Sequence, residues 1–405
     1  MQNVPAVRFL DRTTPPHIVT LILLAGLSAL AMNVFLPSLP KMVAHFDTEY
    51  RLMQLSVAIY LAVNAVLQVL IGPVSDKLGR RPVILWGVGL FCVATVGCIF
   101  APNVTLFLTF RMCQAVIVAA MVLSRAVVRD VVPQDQAASM IGYVTMGVAV
   151  VPMIGPVIGG MLDEAFGWQS TFWLLLILGL AIFWLSWRDL GETSVSRGLS
   201  LGQQFREYPE LLASPRFWGY ALTCALSSGA FFAYLGGAPF VGTEVFGLTP
   251  KVLGFFFGAP AIGYFVGNGL SGKFSARVGV NRMILWGCLI NTAGLALALG
   301  LFTAGLKSEW TFFGCMTFVG LGNGMTIPNA TAGALSVRPH LAGTASGLSG
   351  AIMIGGGAAL SALAGALLQP GTGAWPLLWL MFATGAASMV SIAVVFWRER
   401  RLRGY

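Results

Sequence analysis

The stretch Gly72-Pro-Val-Ser-Asp-Lys-Leu-Gly-Arg-Arg-Pro82 packs two glycines, one acid and three bases between apolar runs long enough to cross a bilayer. A charged turn this short finds no partners in hydrocarbon, so it belongs at a membrane surface. The pattern returns 200 residues later: Gly72, Ser75, Lys77 and Gly79 correspond to Gly272, Ser275, Arg277 and Gly279, and Ile84–Gly87 recurs as Ile284–Gly287. Two copies at one offset predict a duplicated half.

Composition agrees with a membrane setting. The chain is 57% hydrophobic and only 10% charged, against about 25% charged in soluble domains. The net charge of +9 does not point to nucleic acid, because the bases sit in short loops between apolar runs, the pattern that orients a membrane protein. The six cysteines all lie in apolar runs without Cys-x-x-Cys or Cys/His spacing. They read as small buried hydrophobes, and no metal site or other cofactor is expected. The apolar run from Ile18 continues past Asn33 with no small-residue cleavage site and reads as an uncleaved first span.

A spanning helix needs about 20 apolar residues. On that ruler the chain is an all-α integral membrane protein with twelve transmembrane helices in two pseudo-symmetric halves. Spans are predicted near 18–38, 52–72, 83–101, 104–128, 137–161 and 168–187, then 216–240, 252–272, 283–304, 310–333, 342–367 and 374–397. The predicted units are 1–187, a polar cytoplasmic linker 188–215, and 216–405. With both termini cytoplasmic, all but five of the 24 Lys/Arg fall on the inner side. The exceptions are Lys41, Arg51, Lys251 and Lys307 outside, and Arg111 within a span. A miscounted span would scramble that segregation.

Six plus six spans, a same-orientation repeat and a charged loop after the second helix resemble the major facilitator superfamily over nearly the whole chain. The Gly72–Pro82 loop is similar to its signature Gly-x-x-x-Asp-x-x-Gly-Arg-Arg/Lys. The resemblance implies a latch on the cytoplasmic side, with Gly72, Asp76, Gly79, Arg80 and Arg81 as parts and Arg129 and Asp130 beside them. The second copy carries Ala276 for Asp76 and Val280-Asn281 for the arginine pair. In the fifth span Gly147, Pro152, Gly155, Pro156, Gly159 and Gly160 resemble the glycine–proline signature of the antiporter branch. That likeness implies close packing on the eighth span, where Gly254/Gly258 and Gly263/Gly267 lie at helical spacing.

Two further stretches narrow the likeness. Asn33-Val-Phe-Leu-Pro-Ser-Leu-Pro40 and Ser124-Arg-Ala-Val-Val-Arg-Asp130 resemble those of bicyclomycin/chloramphenicol-type drug exporters, and Gln54 and Tyr60 also fit. Arg111-x-x-Gln114 resembles a superfamily signature with Ala115 in place of glycine, and the likeness implies proton coupling or substrate contact. On the residues alone, Arg111 is an ionisable group deep in a span and a functional candidate; a structural arginine bonded to carbonyls is the alternative.

This sequence departs from the exporters where they carry an acid in helix one: it has Asn33. An amide can hydrogen-bond a neutral ligand but can neither hold a proton nor attract a cation. No Asp or Glu is expected deep in any span. A net-positive cavity is therefore expected around Asn33, Asn64, Gln68, Arg111 and Gln114, with Tyr234 and Asn268 from the second half. The expected function is proton-coupled efflux of small neutral or anionic drug-like compounds by a monomer in a bacterial inner membrane. An uptake carrier or uncoupled facilitator, and a non-transporting membrane receptor, are the alternatives. An enzyme is not expected: His17, His45 and His340 have no nucleophile or metal spacing around them, and no phosphate-cradling loop is present.

Overall fold

A computed structural model of the chain describes residues 8–131, 151, 154–193, 209–338 and 341–403. Among these the regular structure is helical, without strands. Helices are what apolar runs must form in a membrane, because each backbone N–H and C=O then finds its partner within the segment. The first half holds α1 (Ile18–Asn33), α2 (Leu39–His45), α3 (Tyr50–Leu78), α4 (Arg80–Ile99), α5 (Val104–Gln114), α6 (Val118–Val131), α7 (154–166) and α8 (Gln169–Asp189). The second holds α9 (Pro215–Phe240), α10 (Pro250–Phe256), α11 (Gly258–Val278), α12 (Val280–Thr303), α13 (Glu309–Ser336), α14 (Ala342–Leu367) and α15 (Trp375–Arg403).

Ten helical segments among the described residues are long and apolar enough to cross a membrane. The 28-residue α13 is long enough but less apolar, because Asn323, Asn329 and several glycines interrupt it. Those glycines let backbones touch: a Cβ on Gly320 would overlap the Pro260 carbonyl, and one on Gly322 would overlap that of Gly287. Most of the predicted fifth span, with Gly147 and Pro152, lies outside the described residues.

Two spans differ from the continuous helices predicted. The first runs to His45 rather than ending near 38, and it breaks at a 3₁₀ turn, Leu36–Ser38. Pro37 has no N–H to offer the Asn33 carbonyl, so the α-ladder cannot continue. The fourth span tightens into a 3₁₀ turn at Ala115–Ile117, directly after Arg111 and Gln114.

The repeated charged loops form matching corners. Gly79 (φ +97°) separates α3 from α4, and Gly279 (φ +91°) separates α11 from α12. Both angles are in the region that a side chain disfavours, which is why each copy keeps its glycine. The corners mark what is here termed the basic end.

Contacts between the two halves gather at the opposite, far end. Tyr50 Oη donates to the Gly236 carbonyl (2.7 Å) and Gln54 Nε2 to Ser361 Oγ (2.8 Å). Gly160 and Pro156 of α7 meet Pro250 and Gly254 of α10. Towards the basic end the packing opens, and a Cβ on Gly72, Gly269, Gly272 or Gly347 would meet nothing within 4 Å.

Candidate functional site

The largest fully buried side chain is that of Arg111, 1% exposed, in the last turn of α5. Its Nη1 donates to Gln114 Oε1 (2.8 Å), and Gln114 Nε2 donates to Thr95 Oγ1 (2.7 Å) on α4. Its Nη2 donates to the Ala31 carbonyl (2.8 Å) on α1. That carbonyl is in the last turn of α1, where the helix leaves its acceptors unpaired. The guanidinium carbon also lies 4.3 Å from the Phe35 ring centre and 4.0 Å from that of Tyr60. Arg111 thus caps the broken first span while two aromatic faces spread its charge. The sequence signalled Arg111 and Gln114; Thr95 gave no signal there.

Asn33 lies two residues beyond Ala31 and is 1% exposed. Its Nδ2 bonds the Ala29 carbonyl on its own helix (2.8 Å), and its Oδ1 has no hydrogen-bond partner. The remaining polar candidates are not gathered around the same point. Asn64 and Gln68 bond each other along α3 (2.9 Å). They face the seam with α14, where Gln68 Oε1 is 3.1 Å from the place a Gly350 Cβ would take. Asn268 Nδ2 bonds the Tyr264 carbonyl on its own helix (2.8 Å). Tyr234 is buried in a cluster of rings with Phe231, Phe257, Phe312 and Phe313, and its hydroxyl has no partner.

Helix α7 has two working faces. A Cβ on Gly155 would sit 3.2 Å from Leu30 Cδ1, and one on Gly159 would overlap the Val34 carbonyl, so this face lies on the first span. A Cβ on Gly160 would overlap the Pro250 carbonyl, and Gly254 is pressed on the Pro156 carbonyl, so the other face lies on α10. The predicted contact between fifth and eighth spans therefore runs through Gly254 alone of the four glycines. Gly263 and Gly267 pack on α13 instead, at Thr317 and Leu321, and Gly258 meets nothing within 4 Å. Spacing alone could not say which neighbour a small-residue face would choose.

At the basic end, Arg80 is held by Asp76 (2.5 Å), by Asp130 (3.0 Å) and by the Ser75 hydroxyl. Arg81 Nε donates to the Leu190 carbonyl (2.8 Å) and its Nη2 to that of Trp187 (3.2 Å). The Arg129 side chain lies outside the described residues. The sequence reading missed Glu192, whose carboxylate accepts from the Arg80 amide (2.9 Å) and the Arg81 amide (3.3 Å). It caps the first turn of α4, where a negative charge is favoured. An acid three residues past a helix end was the only signal. Glu192→Ala is expected to lower stability by about 1 kcal/mol, with Glu192→Gln losing less; thermal unfolding of the purified protein in detergent checks the order.

The second corner is built differently. Asn281 Nδ2 and Arg216 Nη2 donate to Glu399 (2.8 and 3.0 Å), and Tyr220 Oη donates to Asn281 Oδ1 (2.7 Å). A cavity of about 630 Å³ opens beside this network. It lies at the surface corner of the second half, away from the seam between halves. Among the described residues no three His, Cys, Asp or Glu side chains are grouped to hold a metal ion. The cysteines are unpaired, and Cys113 is exposed on the outside of α5 rather than buried as predicted.

A repeated bundle of membrane helices, closed across its seam at one end and loose at the other, has the architecture of a secondary carrier. The chain belongs to the Major Facilitator Superfamily, whose profile matches residues 21–362 and 243–404. A chloramphenicol resistance protein of Pseudomonas aeruginosa is 31% identical over 362 residues, 87% of this chain and 84% of that protein. A bicyclomycin resistance protein homolog of Haemophilus influenzae is 28% identical over 401 residues, covering 97% and 98%. A bacterial homolog of the human lysosomal transporter Spinster, inward-facing and unoccupied, superposes with a TM-score of 0.72 at 18% identity, covering 95% and 96% of the two chains. The chain is a multi-pass membrane transporter of this superfamily, not an enzyme.

Proposed function

We propose that this carrier exports small neutral or anionic organic compounds of drug-like size across the bacterial inner membrane in exchange for protons. The observation that carries the substrate class is the polar interior of the first half. Arg111 and Gln114 bond each other, Asn33 offers an unpartnered carbonyl, and among the described residues no carboxylate sits mid-span to draw a cation. The named resistance relatives support the direction of transport. The basic end is cytoplasmic on this reading, as are both termini, since lysine and arginine favour that side.

The units 1–187 and 216–405 rock as monomeric bodies about the seam, joined by 188–215. The far-end-closed arrangement is then the one that loads from the cytoplasm. Asn64, Gln68 and Asn268 are the substrate contacts on the loose side of the seam, with Asn33 above them. Arg111 and Gln114 hold the first span in position, and Tyr234 anchors the far end of the second half. The cluster of Asp76, Arg80, Asp130 and Glu192 steadies the cytoplasmic corner during the swing.

The test uses sealed proteoliposomes with an imposed pH gradient and an internal pH dye. Neutral amphenicol-like or anionic compounds should discharge the gradient only when protein is present, and cationic ones should not. Asn33→Asp should move the preference towards cations. Discharge by cations with the unaltered protein, or transport with no proton movement, overturns the reading.

A further inference from the structure

The exporters' helix-one acid is missing here, yet a buried carboxylate stands nearby on another helix. Asp163 lies on α7 one turn beyond Gly159, on the face that packs against the first span and two residues past the predicted fifth span. Gly155 stands beside Asn33, whose Cβ is 3.9 Å from the position a Gly155 Cβ would take. Eight residues further along a helix, Asp163 is about 12 Å outward from that level.

The surroundings of Asp163 are unusual for a carboxylate. Its side chain is 0% exposed, and neither oxygen accepts a hydrogen bond from the described residues. Lys41 Nζ is 3.3 Å from Oδ2 and donates to the Asp163 main-chain carbonyl at 3.1 Å. The Ser38 hydroxyl, also without a hydrogen-bond partner, stands beside the carboxylate. Among the described residues, the other charged or titratable groups on the elements around it are exposed Glu164 on α7, His45 of α2, edge-on to Trp168 at 5.2 Å, and Lys251 of α10, whose backbone packs at Gly160. Burial pushes the Asp163 carboxyl up, with Glu164 adding to the rise and Lys41 and the Ser38 hydroxyl opposing it. The neutral form is therefore reached at a higher pH than for an exposed aspartate.

We infer that Asp163 is the proton-binding group of this carrier and takes the part that Asn33 leaves vacant. Ionised, it pairs with Lys41 of α2 and holds α7 to α2 within the first half. When the far end opens, α10 leaves the α7 face at Gly160, solvent reaches the carboxylate beside it, and a proton from that side adds to a carboxylate oxygen. Lys41, 46% exposed, keeps its own proton and moves into solvent. Closure returns α10 to α7 and seals the carboxyl from the far side, Lys41 pairs with it again, and the proton leaves inward past Ser38. Two faces of one helix thus serve the same far end in two ways: Pro156 and Gly160 close it, and Asp163 answers to its pH.

This inference rests on the proton-coupled reading above, and the experiment separates the two. Substrate-driven proton movement and counterflow of labelled substrate, which needs no net proton flux, are measured in the same proteoliposomes. Asp163→Asn should reduce proton movement to the level of protein-free vesicles and leave counterflow intact. Lys41→Gln should move the pH of half-maximal proton-coupled transport upward by about one unit or more, since loss of a neighbouring cation favours the neutral carboxyl. Adding Asn33→Asp to Asp163→Asn should restore proton movement.

Counterflow without proton movement in the unaltered protein overturns the coupled reading, and this inference with it. Proton movement that survives Asp163→Asn overturns the inference alone. If Asp163→Asn does not fold, the Lys41→Gln profile decides: an unmoved profile assigns the pair a structural role and overturns the inference.

Discussion

Arg111→Lys is expected to give a less stable carrier than Arg111→Met, although lysine keeps the charge. The guanidinium reaches Gln114 with one nitrogen and the Ala31 carbonyl with another, and its flat faces fill the gap between Phe35 and Tyr60. A lysine ammonium is a compact, strongly hydrated point charge and cannot reproduce that fork or that stacking. It would leave a buried charge under-compensated, a situation that costs about 3–5 kcal/mol where it has been measured for broken pairs. Methionine removes the charge and roughly keeps the length. Its loss is the two orphaned acceptors, each about 1–3 kcal/mol, offset by the relieved desolvation of the cation. Thermal unfolding in detergent, with both variants beside the unaltered protein, reads the order. A lysine variant as stable as the unaltered protein would mean that charge alone matters at this position and that the aromatic cage contributes nothing.

The fold was largely legible because membrane helices are specified by length and apolarity, which are local properties. The repeated corners were legible too, since Gly79 and Gly279 occupy a backbone region that announces itself as glycine. Pairings between distant segments were not. Glu192 follows the sixth span by a few residues, and nothing local ties it to the amides of Arg80 and Arg81. Asp163 stands just past the predicted fifth span and drew no attention in the sequence; α2, whose Lys41 covers it, comes from 122 residues earlier. Arg111 was singled out by its cost in hydrocarbon, but its cage depends on how the first span breaks at Pro37, and that break is a tertiary fact as much as a proline effect. Small-residue faces behaved likewise: Gly160 and Gly263 look alike in sequence, yet one meets the other half and the other meets its own.

Gly160→Ala is expected to slow transport by tenfold or more while leaving the protein folded, and Gly159→Ala to do the reverse. The two glycines are adjacent but point to different partners. A Cβ at 160 would overlap the Pro250 carbonyl and come within 3.1 Å of Lys251 Cα; a Cβ at 159 would overlap the Val34 carbonyl. All three are backbone atoms that no rotamer change can remove. The Val34 contact is within the first half and persists in any arrangement of the two halves, so its loss is a stability loss, about 1–3 kcal/mol for overpacking. The Pro250 contact exists only while the far end is closed. A penalty of about 2 kcal/mol on that state alone shifts the balance towards the far-end-open state roughly thirtyfold. Labelling of Ser361→Cys by an impermeant maleimide, with Cys113 replaced, reads the shift. Ser361 is fully buried when the far end is closed, so it should be nearly inert in the parent and reactive with Gly160→Ala. Gly159→Ala should leave labelling low and depress the unfolding temperature. Equal labelling with and without Gly160→Ala would mean that α7 and α10 stay in contact throughout the cycle, and the far end could then not open between these two helices.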